Sequence, residues 1–183
     1  MPRVNPRKNA YNNLIANPSC IALAQEFGVE FEANEPKEWY DKWDKKILYY
    51  AIDYNNDCPL IPMKKMKRAV NIAMSTWNFE IPIKLKSSYT IWKKADIIIN
   101  FRKAKDDQLF SERPGVLAYA YFPGTSKEGE IVFNTDYIWA THSNGILGSE
   151  AVRLGLVDQA NPTNKLVTWN ILQTLIHEIG HSL

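Results

Sequence analysis

Long apolar runs and an excess of one charge are both missing from this sequence of 183 residues. No stretch approaches the roughly 18 apolar residues that a membrane-spanning helix needs, and residues 1–8 lack the apolar core of a secretory signal. The 22 Lys and Arg residues nearly balance the 20 Asp and Glu residues, which leaves a net charge of +2. We therefore expect no membrane span and no nucleic-acid partner, whereas these features decide neither the compartment nor the oligomeric state.

Cysteine and histidine are also scarce. The two cysteines, Cys20 and Cys58, form no CxxC redox or zinc motif, so they either make one disulfide or stay as thiols. Of the three histidines, His142 stands alone in a loop segment, and we interpret it as a surface residue rather than a metal ligand. The other two, His177 and His181, lie close together near the end of the sequence.

The composition supports one folded domain preceded by an extension. Hydrophobic residues make up 45% of the sequence, which is typical of a chain with a packed core. Residues 1–45 are rich in Asn, Glu and Lys and are interrupted by prolines, with one short helix predicted near residues 21–27. We interpret residues 1–45 as an N-terminal leader and residues 46–183 as the main domain.

Hydrophobic periodicity predicts strands and helices in that domain. β-branched, aromatic and alternating apolar residues favour strands over residues 46–53, 81–86, 95–101, 116–122 and 130–134. Apolar residues recur every three or four positions over 62–78, which indicates an amphipathic helix whose lysine-rich side we interpret as solvated rather than as an anion site. A short helix is predicted at 149–156, and a final helix from Thr163 onwards with Thr163 or Asn164 as its N-cap.

The final helix contains the pattern His177-Glu178-Ile179-Gly180-His181, or HExxH. Four residues along an α-helix amount to about 400° of rotation and about 6 Å of rise, so both imidazoles project from one side and can reach one metal ion. Zinc suits such a ligand pair best. Glu178 is rotated by about 100° from His177, where a carboxylate can act as general base without being a ligand.

Three segments together resemble the matrixin branch of the metzincin zinc metalloproteases. They are residues 95–101 (ADIIINF), 116–124 (VLAYAYFPG) and 177–183 (HEIGHSL). The resemblance implies an α+β fold, in which a twisted five-stranded mixed sheet has one antiparallel edge strand and long helices behind it, the last carrying HExxH. It also implies that the edge strand runs through Leu117 and Ala118, where a peptide or protein substrate in extended form would add by main-chain hydrogen bonds.

The same resemblance implies a zinc-dependent endopeptidase. His177 and His181 would hold one catalytic Zn²⁺, and a metal-activated water would hydrolyse peptide bonds with Glu178 as general base. An extracellular location is also suggested. Two alternatives stay open at this point. One is a catalytically inactive peptide-binding module with the same fold, and the other is a zinc protease of another branch whose third ligand lies upstream.

The sequence departs from the matrixin pattern at its end and at one structural metal site. Matrixins continue with a third histidine and a methionine turn, whereas this sequence stops at Leu183, so we expect a C-terminally truncated domain with negligible activity on its own. Tyr119 and Val132 occupy two positions of the family's structural zinc histidines, and residues 105–110 contain no histidine. A second zinc is therefore not expected.

Two further properties of the family are not expected in this chain. Asp136 and carbonyl groups near Gly115 match part of the family's calcium site, but Asn134 and Tyr137 stand where carboxylates belong, which argues against calcium. Cys20 lacks the arginine and glycine that surround the zinc-blocking cysteine of matrixin zymogens. We interpret its side chain as an ordinary thiol.

Overall fold

The computed structural model describes residues 43–53, 61–88, 94–141, 146–153 and 164–183. Nearly all of the proposed leader, both cysteines and His142 lie outside these ranges, so the predictions for them stay predictions.

The described part of the chain contains nine strands and four α-helices. The strands are β1 (Ile47–Ile52), β2 (Lys84–Ser87), β3 (Ile97–Arg102), β4 (Ala118–Ala120), β5 (Glu130–Asn134), β6 (Trp139–Ala140), β7 (Ile146–Leu147), β8 (Lys165–Leu166) and β9 (Trp169–Asn170). The helices are α1 (Met63–Glu80), α2 (Gln108–Glu112), α3 (Gly148–Arg153) and α4 (Ile171–Ser182). A 3-10 turn over Ala104–Asp106 precedes α2. Within the described ranges, no helix combines the length and apolar character needed to cross a bilayer.

Five of these strands form one mixed sheet in the order β2, β1, β3, β5, β4. The first four are parallel, and β4 runs antiparallel to β5 at the edge, with Ala118 opposite Phe133 and Ala120 opposite Ile131. Parallel neighbours need a crossover connection, and α1 supplies the one between β1 and β2. The predicted α+β fold with its antiparallel edge strand is confirmed.

One apolar core joins the sheet to α1 and α4. The side of α1 that the lysines occupy is exposed, as predicted, and the opposite stripe is buried at helical spacing (Met66, Ala69, Val70, Ala73 and Met74). On α4 the fully buried apolar residues are Ile171, Leu175 and Ile179. The two helices also pack on each other, which brings α1 next to the HExxH motif.

The start predicted for the last helix is wrong. Residues 165–166 and 169–170 form β8 and β9, and the pairing of β9 with β6 keeps the backbone extended up to the helix. The N-cap is Asn170 rather than Thr163 or Asn164, because its side-chain oxygen accepts hydrogen bonds from the backbone N–H groups of Leu172 and Gln173. Strand pairing with a distant segment is a tertiary effect that overrides the local capping signal.

Two strands are shorter than predicted. The segment before β2 is taken up by the end of α1, since the Ile81 N–H donates to the Trp77 carbonyl and Pro82 has no N–H for a strand ladder. Before β4, the Val116 N–H donates to the Arg113 carbonyl in a turn. The ladder with β5 therefore covers Ala118–Ala120, and one backbone hydrogen bond on each side extends the contact to Leu117 and Tyr121.

Candidate metal centre

The two imidazoles of HExxH converge on α4. The Nε2 atoms of His177 and His181 lie 3.2 Å apart, and their ring planes are nearly perpendicular. Two nitrogen ligands at 2.0–2.1 Å from a tetrahedral zinc ion would lie about 3.3–3.4 Å apart. The separation in this structure therefore fits a shared zinc ion.

Burial sets the charge state of this histidine pair. It lowers the pKa of His177, and burial together with the charge of His177 lowers the pKa of His181 to about 4. Both imidazoles are thus neutral at pH 7, and a neutral imidazole is the form that binds a metal ion.

Glu178 lies between the two histidines in sequence and is only 5% exposed. Its Oε2 atom is buried without a hydrogen-bond partner in the described part of the chain. Burial raises the pKa of its carboxyl group to about 8. A carboxyl group in this environment exchanges a proton near neutral pH, which is the requirement for general acid and base catalysis.

His177 and His181 would provide two of the three protein ligands that catalytic zinc sites normally use. Over the residues that the structure describes, no group of three His, Cys, Asp or Glu side chains is arranged to hold a metal ion. His142 is outside those residues. The described site is therefore a ligand pair next to a buried carboxyl group.

The residues predicted to bind substrate lie where the edge strand begins. Ala118 is buried, while Leu117 is half-buried against the core and its carbonyl accepts a hydrogen bond from the Asn134 N–H. β4 packs beside α4, and among the described strands it pairs only with β5. The outer edge of β4 is thus available to the main chain of a peptide strand.

Phe122 is a site residue that the sequence analysis missed. Its ring meets the His181 imidazole edge to face, with the ring centroids 5.5 Å apart. Phe122 follows the edge strand closely, but nothing in the sequence pattern connects it with His181, a residue nearly sixty positions later. The contact depends on the packing of β4 beside α4.

A second polar cluster, also missed, lies on the sheet, and we call it the Arg102 network (Asn100, Arg102, Asp107, Tyr119 and Glu130). Arg102 donates to Asp107 Oδ2 at 3.1 Å and to Glu130 Oε1. The Tyr119 hydroxyl donates to Asp107 Oδ2 at 2.7 Å, and the Asn100 amide donates to Glu130 Oε1 at 2.7 Å. The only sequence signal was the alternation of Asn100 and Arg102 in an otherwise apolar strand.

Electrostatics in the Arg102 network are balanced. Burial would lower the pKa of Arg102, but Glu130 and Asp107 outweigh that effect, so the pKa is raised. Burial and the hydrogen bond to Asp107 raise the pKa of Tyr119.

Tyr119 pairs with the fully buried Val132 across β4 and β5. Tyr119 and Val132 stand where the resemblance places structural zinc ligands. The hydroxyl of Tyr119 is thus used within the network, and the side chain of Val132 is apolar.

The residues compared with the family's calcium site are also used internally. Asp136 Oδ2 accepts a hydrogen bond from the Ala104 N–H at 3.1 Å. Asn134 accepts from the Asp136 N–H and donates to the Val116 carbonyl. These bonds order the loop around Asn134.

Comparisons with known proteins agree with the fold and with the matrixin resemblance. The family model described as Matrixin matches residues 42–183. Matrilysin of Homo sapiens is 32% identical over 145 residues, covering 78% of this chain and 44% of the relative. Stromelysin-1 of Equus caballus is 30% identical over 78% of this chain, and macrophage metalloelastase of Oryctolagus cuniculus is 27% identical over 77%.

The chain spans less than half the length of these curated relatives, with 24% of stromelysin-1 and 25% of the metalloelastase covered. The family match includes the whole five-stranded sheet, α1 and α4. On this evidence the chain belongs to the matrixin family of metalloproteases.

Proposed function

We propose that this chain is the catalytic region of a zinc-dependent endopeptidase. The observation that carries the proposal is the pair of Nε2 atoms 3.2 Å apart, next to a buried carboxyl group with an unpartnered oxygen. Matrixins depend on zinc, so membership of the family also supports a zinc-dependent enzyme.

An extracellular location is part of the proposal and rests on the family alone. The boundary near residue 45 is also part of it, and the family match beginning at residue 42 supports it.

His177 and His181 would hold the zinc ion. When bound, zinc supplies a Lewis acid that polarises the scissile carbonyl and acidifies water. Glu178 then has the role of taking a proton from the attacking water and passing it to the leaving amine. Its burial favours the protonated form after the first transfer, which keeps the proton available for the second.

We propose that the substrate is a peptide or protein segment in extended form. It would run along the outer edge of β4, with main-chain hydrogen bonds to the Leu117 and Ala118 region. Support comes from the edge position of β4 and from its packing beside α4. A strand bound there would pass close to the histidine pair.

Zinc content and peptide hydrolysis in the full-length protein test this proposal together. Glu178→Gln should retain zinc, because the ligands are intact, and should lower kcat/KM by about 10²-fold or more. His177→Ala and His181→Ala should lose zinc as well as activity. Near-normal turnover by Glu178→Gln would contradict the assigned base. A folded native protein that binds extended peptides but no zinc would instead be a binding module.

A further inference from the structure

α1 contacts α4 at the turns that carry the histidines. Trp77 on α1 donates a hydrogen bond from Nε1 to the Ile176 carbonyl at 2.8 Å. Its ring also lies against Gly180. A Cβ atom added at Gly180 would be 2.7 Å from Cζ2 of Trp77 and 3.2 Å from Cη2, and real Cβ atoms essentially never approach a neighbour below 3.0 Å. The indole therefore explains why an unfavourable helix residue stands inside HExxH.

Ile176 and Gly180 directly precede the two histidines. They are four residues apart, so they stack on one side of α4, about 100° from the side that presents the imidazoles. The hydrogen bond to Ile176 fixes α4 along its axis relative to α1. The ring contact at Gly180 fixes the distance between the helices. One side chain thus sets the position of both turns.

A second indole acts after the histidine pair. Trp43 donates from Nε1 to the Ser182 carbonyl at 2.7 Å, and Ser182 is fully buried next to His181. The two tryptophans come from different parts of the chain, before β1 and on α1. Together they bond to α4 on both sides of the histidines.

We propose that Trp77 is a positioning residue for the metal ligands, with Trp43 in a supporting role. The inference rests on the proposed function, because it concerns how His177 and His181 are aimed. Functional groups must be held within about 0.5 Å of their productive geometry. A helix that shifts or rotates against α1 would move both imidazoles relative to any ligand supplied by another element. Trp77 opposes such a shift without touching metal or substrate.

The test uses Co²⁺ alone as the probe, and Trp139→Phe is the matched control. The Trp139 Nε1 also donates to a carbonyl at 2.8 Å, that of Asn134, so both substitutions remove one indole hydrogen bond and keep an aromatic ring. The melting temperature, the Co²⁺ affinity and the visible Co²⁺ spectrum of the full-length protein are measured for each variant. The spectrum reports ligand geometry, which a loss of general stability does not change.

Both variants should lower the melting temperature to a similar extent. Only Trp77→Phe should weaken Co²⁺ binding, by about tenfold, and alter the spectrum. Gly180→Ala, which pushes the indole away, should reproduce this effect, and combining it with Trp77→Leu should cause less than the sum of the two losses. Equal Co²⁺ affinities and spectra in the Trp77 and Trp139 variants would overturn the positioning role. If His177→Ala binds Co²⁺ as tightly as the native protein does, the proposed function is overturned as well.

Discussion

The Arg102 network and the histidine site both bury ionisable side chains, but they differ in whether those side chains have ion-pair and hydrogen-bond partners. In the network, Arg102 lies between Asp107 and Glu130, and Tyr119 completes the hydrogen bonds of Asp107. On α4, Glu178 has a buried oxygen without a partner and no ion pair among the described residues. The network also contains one unpartnered buried oxygen, Asn100 Oδ1, but that atom belongs to a neutral amide. The charged groups of the network pair with one another, whereas the ionisable carboxyl group of Glu178 has no charged partner among the described residues.

This difference fits a structural role for the Arg102 network and the proposed catalytic role for Glu178. A matched set of charges stabilises one arrangement of the chain and has a high cost when a member is removed. A buried carboxyl group without a charged partner lowers stability at neutral pH but has a pKa in the range that the proposed proton transfers require. The two regions should therefore respond in opposite directions when a charge is neutralised.

Removing the centre of the network should have the largest effect on stability. Arg102→Met leaves the carboxylates of Asp107 and Glu130 without their cation, and we expect a loss of about 3 kcal/mol or more in the free energy of unfolding. Lys45→Met is the matched control, because the Lys45 side chain is 55% exposed in its ion pair with Asp96, and its loss should cost under about 1 kcal/mol. Urea denaturation measures the free energy of unfolding of both variants. Equal losses would show that the buried network contributes no more to stability than the exposed ion pair.

Neutralising Glu178 in the metal-free protein should raise stability at neutral pH. Burial raises the folded-state pKa to about 8 from 4.5, so the stabilising contribution of this group is complete below pH 4.5 and is lost as the pH rises through 8. Glu178→Gln removes that loss, and we expect a gain on the order of 3 kcal/mol at pH 7. Asp107→Asn should have the opposite sign, since Asp107 accepts bonds from Arg102 and Tyr119.

Thermal unfolding between pH 4.5 and 8.5 in the presence of a chelator checks this pair of variants. The difference between Glu178→Gln and the native protein should grow as the pH rises from 4.5 to about 8 and then level off. A difference that does not depend on pH would show that Glu178 has no raised pKa in the folded state.

Zinc should stabilise the protein through the histidine pair on α4 rather than through the Arg102 network. A ligand that binds only the folded state at 100 times its Kd adds about 2.7 kcal/mol. We expect this gain to vanish in His181→Ala and to persist in Arg102→Met. We also expect elemental analysis to find one zinc per chain. Two tightly held zinc ions per chain would show that the region around Tyr119 binds metal after all.

The smallest expected effect concerns the start of α4. Asn170→Ala removes the side-chain acceptor for the N–H groups of Leu172 and Gln173, which should cost about 1 kcal/mol. Asn164→Ala, at the position first predicted as the cap, should change stability by under about 0.5 kcal/mol. A larger loss at Asn164 would restore the original prediction for the helix start.

Much of the fold follows from local patterns. The strand over 130–134 has its predicted bounds, and β1, β3 and α1 lie within a few residues of theirs, because each has a clear apolar periodicity. The predicted start of the last helix is too early because β9 is a two-residue strand, and its pairing with β6 has no signature in the sequence. Short paired segments depend on a partner that only the folded chain supplies.

The sequence alone determined the chemistry of the candidate site. HExxH names two imidazoles and one carboxyl group, and helical geometry is enough to place the imidazoles on one side. Only the tertiary structure decided how those groups are held: the burial that shifts the pKa values of Glu178 and His181, the ring of Phe122 against His181, and the indole of Trp77 against Gly180. The physical reason is the separation along the sequence over which each effect acts. Backbone geometry relates residues four positions apart, whereas desolvation and packing arise from residues that are distant in sequence and become neighbours only in the fold.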